Sequence, residues 1–459
     1  MFVMTRTLSP GFKSETGPYM EEREFDKLLV REVRSLVRSY GISYDPDEVV
    51  PSDNTLARDL WRAAYELVLR VGGYNMSTKR RLVFEEWEVK AALKNIPERI
   101  VIGCGEHARV MAHRGVEDPT EPLFETGPTG TVVSEDIYLE TMISFAQEDF
   151  IDAVGSGSLA TINGLEIKTG SPLEVMAATH IAAMNREALR KVGREGMHIN
   201  DVAITTPWAK MAAVNEGWGI RRCDSMLVAQ MIELKTSNEH LALAEFMLRH
   251  GIVVSNLMTP IWGGYGGDSP GTAVISLAEH IFGALVYGAL KHFLSLTHYL
   301  TLNNTSRETL WVISTVGQAI AMNSKLISLH DCYSTFGPGT KEILYESAAG
   351  AVTSSVSGLH GTGIGSAGGK YPDHETGIEG RLYGEVAKHS VRFSRRDAND
   401  IVKEILKRYE GRLRKLRGAV PGKSIRELYD LRSVRPSREW LSMYSNVRKE
   451  LIDLGIPLD

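Results

Sequence analysis

From about residue 121 onward the chain keeps one rhythm. A short apolar run is followed by a corner rich in Gly, Ser or Asn, then by a stretch whose apolar residues recur at helical spacing. Eight of the runs read as strands, near residues 124–130, 153–159, 197–205, 225–231, 252–258, 298–303, 326–333 and 355–360. Two of the intervening helices carry clear start signals. Ser171-Pro172-Leu173-Glu174 offers an N-cap serine, a proline in the first turn and a glutamate placed for a capping box. Thr305-Ser306-Arg307-Glu308 repeats the Thr-x-x-Glu spacing. Strands that alternate with helices pair in parallel through right-handed crossovers, and eight such units fit a closed (β/α)8 TIM barrel better than an open sheet.

The flanks read differently. Residues 1–120 are mainly helical with charged faces, as in FDKLLVREVRSLVRSYG, and form an N-terminal extension. Residues 121–394 hold the barrel, and residues 395–459 form a C-terminal helical extension packed on it. In that last part Val402, Leu406, Tyr409, Leu413 and Leu416 make one apolar stripe, so the surrounding Lys and Arg are a solvated face. ATINGLEIKTG, after the second strand, reads as a small hairpin turning at Asn163-Gly164.

Composition narrows the function classes. The 459 residues are 43% hydrophobic, enough for a substantial core, and a net charge of -5 makes no electrostatic case for nucleic acid. Cys104, Cys223 and Cys332 are too few and too scattered for a disulfide framework or a four-cysteine zinc site. No signal-peptide core opens the chain, and the most apolar stretch, residues 280–300, is broken by Lys291 and His292. That stretch therefore reads as a buried helix running into a strand, with no membrane span, and the expected location is the cytoplasm.

In a TIM barrel the chemistry sits where strands end. MTPIWGGYGG follows the fifth strand, so Gly263, Gly264, Gly266 and Gly267 are expected to rim the mouth. Trp262 and Tyr265 flank them, and Trp208 and Trp218 follow the third strand. These aromatics could pack under loops or form a cage for a methylated ammonium group. His330-Asp331-Cys332 closes the seventh strand but lacks a third ligand for zinc, so no metal is expected. Asp331, at the end of the apolar run LISLHD, is costly to bury unpaired and so reads as an anion facing a cationic substrate or as a proton-transfer group. GIGSAG, residues 363–368, lies too late in the repeat for a dinucleotide fingerprint and reads as a flexible loop.

Several longer strings carry a resemblance: GPTGTVVSED, SPLEVMAA, GREGM, IELK, PIWGGYGG, TSRETL, GPGTKEILYESA, TGIEGRLYGEVA and PGKSIRELYDLRSVRPSREW. In content, order and spacing the chain resembles the monomethylamine methyltransferase family of methylotrophic archaea, corrinoid-dependent enzymes built on a (β/α)8 barrel. The resemblance implies a separate cognate corrinoid protein as partner, with no permanently bound cofactor. It also implies a small methylated donor deep in the barrel, a glycine rim that admits the flat corrinoid ring, and a homo-oligomer, specifically a hexamer. Substrate contacts are expected from Leu227, Leu257, Trp262, Tyr265, His330 and Tyr333, with Asp331 and Asn200 as catalytic positions.

The departures are equally informative. The family's pyrrolysine position, counted from GREGM, falls on Asn200, which cannot form an imine adduct. Two active-site glutamates of the family fall on Leu227 and Leu257, and a glutamine on Asp331. The expected activity is therefore methyl transfer from a methylated amine or other onium donor to a Co(I) corrinoid, without pyrrolysine and inefficient on monomethylamine. The alternatives are a catalytically inactive paralogue that binds a corrinoid protein or ligand, and an unrelated lyase or hydrolase on the same barrel.

Overall fold

Eight parallel strands close into a barrel: β1 (Phe124–Thr126), β2 (Ala153–Gly155), β3 (His198–Asn200), β4 (Ser225–Ala229), β5 (Val253–Met258), β6 (Lys291–Leu294), β7 (Ile327–Tyr333) and β8 (His360–Gly365). Each pairs with the next in chain order, and β8 pairs with β1 to complete the ring. The structure is a computed structural model describing residues 10–129 and 131–458. The first nine residues, Gly130 and Asp459 lie outside it, and with them part of the N-terminal stretch and of the first expected strand.

Two strands sit elsewhere than their sequence suggests. The sixth is Lys291–Leu294; residues 298–303 follow it outside the barrel, where His298 ends a two-residue strand paired with Ile261–Trp262 and the rest is turn and loop. Helix and strand merge there into one apolar run, so the two polar residues that interrupt it are themselves the start of the strand. The eighth is His360–Gly365, because Ser355 still belongs to the preceding helix. GIGSAG is thus no flexible loop: its first three residues are buried strand. Rings demand the small side chains, since a Cβ at Gly361 would lie 2.3 Å from the Tyr383 ring and one at Gly365 2.3 Å from that of Tyr333.

The main barrel helices are α3 (Tyr138–Ala146), α4 (Pro172–Lys191), α5 (Pro207–Ala212), α6 (Asn238–His250), α7 (Ser269–Val286), α8 (Arg307–Asn323), α9 (Lys341–Val356) and α10 (Gly377–His389). Before them α1 (Glu22–Ser39) and α2 (Asn54–Val71) lie across α7, and α2 also packs on α8. That cover buries every residue of α7, the one described helix long and apolar enough to cross a membrane, so it is a core helix. The start signals need one adjustment each. Helix α4 begins at Pro172, but Ser171 makes no capping bond, and Glu174 reaches across to Thr206 instead. Helix α8 is capped by Ser306, not Thr305. The 161–166 hairpin turns at Asn163 and Gly164, both with positive φ. Helix α11 (Arg395–Leu406) and the short helical turn after it bury Val402, Leu406, Tyr409 and Leu413.

The N-terminal extension is not all helix. One of its hairpins, pairing Arg99–Ile102 with Arg109–Ala112, closes the floor of the barrel. Its Ile100, Ile102 and Met111 pack against Ala153, Phe293, Ile327 and Leu329 on the lower inner wall. Side chains alternate across each strand, and β7 shows the consequence most clearly. Ile327, Leu329, Asp331 and Tyr333 face inward, while Ser328, His330 and Cys332 face the helices.

Candidate active site

Above the apolar floor the barrel holds a cavity of ≈ 170 Å³ at the carboxyl ends of the strands. Thr129 and Ala203, both partly exposed, stand toward the mouth; Glu125 and Asp331 are buried at 1% and 2% exposure. One wall is apolar, made by Leu227, Leu257 and Phe293. Asn200, Tyr333 and Thr362 complete much of the remainder.

Below the cavity a polar chain crosses the barrel. Lys291 Nζ donates to Glu125 Oε1 at 2.6 Å and lies 3.2 Å from His198 Nε2. His198 Nδ1 lies 2.8 Å from the Cys223 carbonyl, which can only accept, so Nδ1 carries the proton and Nε2 accepts from Lys291. Burial holds the His198 imidazole neutral, well below its usual range, with the Lys291 charge adding to the effect. Ser225 Oγ donates to Asn200 Oδ1 at 2.6 Å, and Ser255 Oγ donates to the same atom at 3.3 Å. The Asn200 amide is thereby fixed by two hydroxyls from neighbouring strands.

Asp331 and Glu125 each carry one buried oxygen without a partner among the described residues, but Asp331 has no lysine on the other. Ser295 donates to Oδ2, and Oδ1 has no partner among the described residues. Burial pushes the carboxyl up to about 7; the Ser295 hydroxyl opposes the rise and Glu125 adds to it. At the mouth Asp201, held at φ 72, pairs with Lys210 at 2.6 Å. So Asp331 is not the isolated acid the sequence suggested, since Glu125 and Asp201 share its cavity.

The sequence model of monomethylamine methyltransferase MtmB matches residues 11–456. The chain belongs to the monomethylamine methyltransferase family. MtmB2 of Methanosarcina acetivorans is 28% identical over 446 residues, 97% of this chain and 96% of that one. MtmB2 of Methanosarcina barkeri is 29% identical over 422 residues, 92% of this chain and 91% of that one. The crystal structure of the Methanosarcina barkeri monomethylamine methyltransferase MtmB aligns with a TM-score of 0.94 at 27% identity, over 98% of both chains.

Within this monomethylamine methyltransferase fold the expected site residues separate into two groups. Asn200, Leu227, Leu257, Asp331 and Tyr333 come together around the cavity. His330 does not: strand alternation turns it into the helix layer, between Asn304 at 3.1 Å and the Tyr383 hydroxyl at 3.2 Å. Trp262 and Tyr265 also lie off the cavity. Trp262 stacks on His298 with 4.4 Å between ring centroids, and the Tyr265 hydroxyl donates to Asp26 of α1 at 3.0 Å. Nor do Trp208 and Trp218 line the cavity, so its aromatic faces come from Phe293 and Tyr333.

The four rim glycines do not line the cavity either, and the fold itself accounts for them. A Cβ on Gly263 would lie 2.4 Å from the Tyr299 ring, and one on Gly266 2.8 Å from the Thr272 nitrogen. Gly264 sits against the Ile261 carbonyl, whereas Gly267 has open space around it and a φ of 77°. Sequence reasoning missed Glu125, Phe293 and Asp201 in the site, and Lys291 beneath it. The signal for Lys291 was present in the charge that interrupts the 280–300 run.

Proposed function

We propose that the chain transfers a methyl group from a small methylated amine or other onium donor, held in this cavity, to the Co(I) corrinoid of a partner protein, without pyrrolysine. What carries the reading is the placement of Asp331 in one cavity with the apolar wall of Leu227, Leu257 and Phe293, reached from the barrel mouth. Family membership supplies the reaction class, and Asn200, with its amide oxygen taken by two serines, supplies no imine chemistry.

The residues present fit an acceptor that arrives from the mouth, because Thr129 and Ala203 put little bulk on that side. A corrinoid docked there supplies a two-electron nucleophile toward carbon. The chain's own part is to hold the donor with one methyl turned outward, keep water off it and balance its charge. Positioning of this kind is a large share of what displacement at carbon needs. The bond between the methyl carbon and nitrogen breaks with its electron pair left on nitrogen. A quaternary ammonium therefore leaves as a neutral tertiary amine, and no proton has to be delivered. Monomethylamine lacks that advantage.

The test is a panel of methylated amines, quaternary ammonium and sulfonium compounds offered to the enzyme with its corrinoid protein in the Co(I) state, followed by visible spectroscopy. The expected result is methylation from an onium donor and little or none from monomethylamine. Efficient use of monomethylamine would overturn the roles given to Asn200, Leu227 and Leu257. Inertness across the whole panel would favour a binding paralogue.

A further inference from the structure

Charge around the cavity does not balance. Three carboxyls line it, from Glu125, Asp201 and Asp331. Lys291 takes the first at 2.6 Å, and Lys210 takes the second at 2.6 Å. Among the described residues Asp331 has no cation, only the Ser295 hydroxyl, and its second oxygen, like the second oxygen of Glu125, is unpartnered and buried.

The two cations nearby are already committed. All three Lys210 donors are used, on both Asp201 oxygens and on the Leu227 carbonyl. Lys291 lies beneath the cavity and is engaged by Glu125 and His198. No Lys, Arg or His is among the described residues that line the cavity wall. With Asp331 ionised the site therefore lacks one positive charge, and the cavity wall has none to offer an anion.

Resting on the methyl-transfer reading, we propose that the donor is a compact onium cation with no carboxylate of its own, and that Asp331 is the counter-ion that selects it. A zwitterionic donor would carry a second negative charge next to Asp331 and Glu125 and find no partner for it. The volume agrees, since ≈ 170 Å³ is well below the roughly 300–1,000 Å³ of sites for drug-sized ligands. Methyl groups suit Leu227 and Leu257, and the Phe293 and Tyr333 rings suit positive charge.

A linked proton follows from the same arrangement. The groups facing Asp331 are Ser295 after β6, Glu125 from β1, Thr362 from β8, Tyr333 on its own strand and the Asp201–Lys210 pair across the mouth, with Lys291 below them on Glu125. Burial keeps the carboxyl protonated up to about pH 7, so an entering cation ionises it and expels that proton. Affinity should rise about tenfold per pH unit below 7 and level off above it.

Calorimetry on the full chain, without the corrinoid protein, tests this with three probes: tetramethylammonium, trimethylglycine, which adds a carboxylate to it, and the neutral tert-butyl alcohol, which matches tetramethylammonium in bulk. Tetramethylammonium should bind with the stated pH profile and release about one proton below pH 7. The other two should bind at least about tenfold more weakly. Asp331→Asn should weaken tetramethylammonium on the order of 100-fold at pH 8 and abolish the pH profile. Ser295→Ala, which removes the lone donor to Asp331, should move the midpoint up by about one pH unit. Equal binding of trimethylglycine, no binding of tetramethylammonium, or a pH-independent affinity in the parent would overturn the inference. The two readings fail separately. Tetramethylammonium binding of this kind with no methyl transfer sinks only the reaction, whereas efficient demethylation of trimethylglycine sinks only the selectivity.

Discussion

Asp331 and Glu346 are both buried carboxyls that burial pushes up to about 7, yet they stand on opposite sides of the barrel wall. Glu346, on α9, accepts from the backbone nitrogens of Thr335 and Phe336 at 2.9 and 3.0 Å, from Thr305 at 2.6 Å and from Asn303 at 3.3 Å. It ties the loops after β6 and β7 to the helix layer. Asp331 faces the lumen with one donor and a free oxygen. Desolvation acts on both alike, so a raised pKa does not tell them apart. The number of donors together with the place does: Glu346 is saturated within the framework, whereas Asp331 holds one hydroxyl and lines the cavity.

The largest expected effect is on the framework side. Glu346→Ala leaves two backbone N–H groups and the Thr305 hydroxyl without their acceptor. It should cost about 4 kcal/mol in urea unfolding, at about 1–3 kcal/mol per orphaned group. A loss below about 1 kcal/mol would erase the distinction drawn here.

Asp331→Asn should act in the other direction. The folded carboxyl titrates near 7 against an ordinary 3.8, so its contribution to stability is present below about pH 4 and lost as pH rises through 7. Asparagine has no such loss. The variant should therefore gain on the parent between pH 5 and 7, by at most about 1.4 kcal/mol per pH unit, and unfold later at pH 8. The same stability difference at pH 5 and pH 8 would show that Asp331 does not titrate in this range.

The smallest effect concerns the residue beside it. His330→Gln, on the helix side of β7, should change tetramethylammonium affinity by no more than about twofold and stability by about 1 kcal/mol. A tenfold loss of affinity would mean that the two faces of β7 are not separated as described.

Much of the barrel was legible because its strands are punctuated by corners that sequence periodicity detects. Strand β6 was not, since α7 and β6 share one apolar run and nothing local marks where the helix stops. Asp331 was legible as a lone acid ending an apolar strand. Its neighbours were harder: Glu125 lies on a three-residue strand, and its partner Lys291 is 166 residues away, so no local pattern joins them. His330 was misplaced for a different reason. Adjacent strand residues point to opposite faces, so the sequence should have admitted only one of the pair 330 and 331 to the lumen.

The hairpin under the barrel has a consequence for the order of events. With Ile100, Ile102 and Met111 packed across the floor, the described residues close the cavity from below and leave the mouth as its way in. On the proposed reading, donor and spent amine use the doorway that the corrinoid protein covers. The donor must board before the partner arrives, and the amine can leave only after the partner withdraws. On that reading each turnover becomes a queue in which the partner protein itself works the gate.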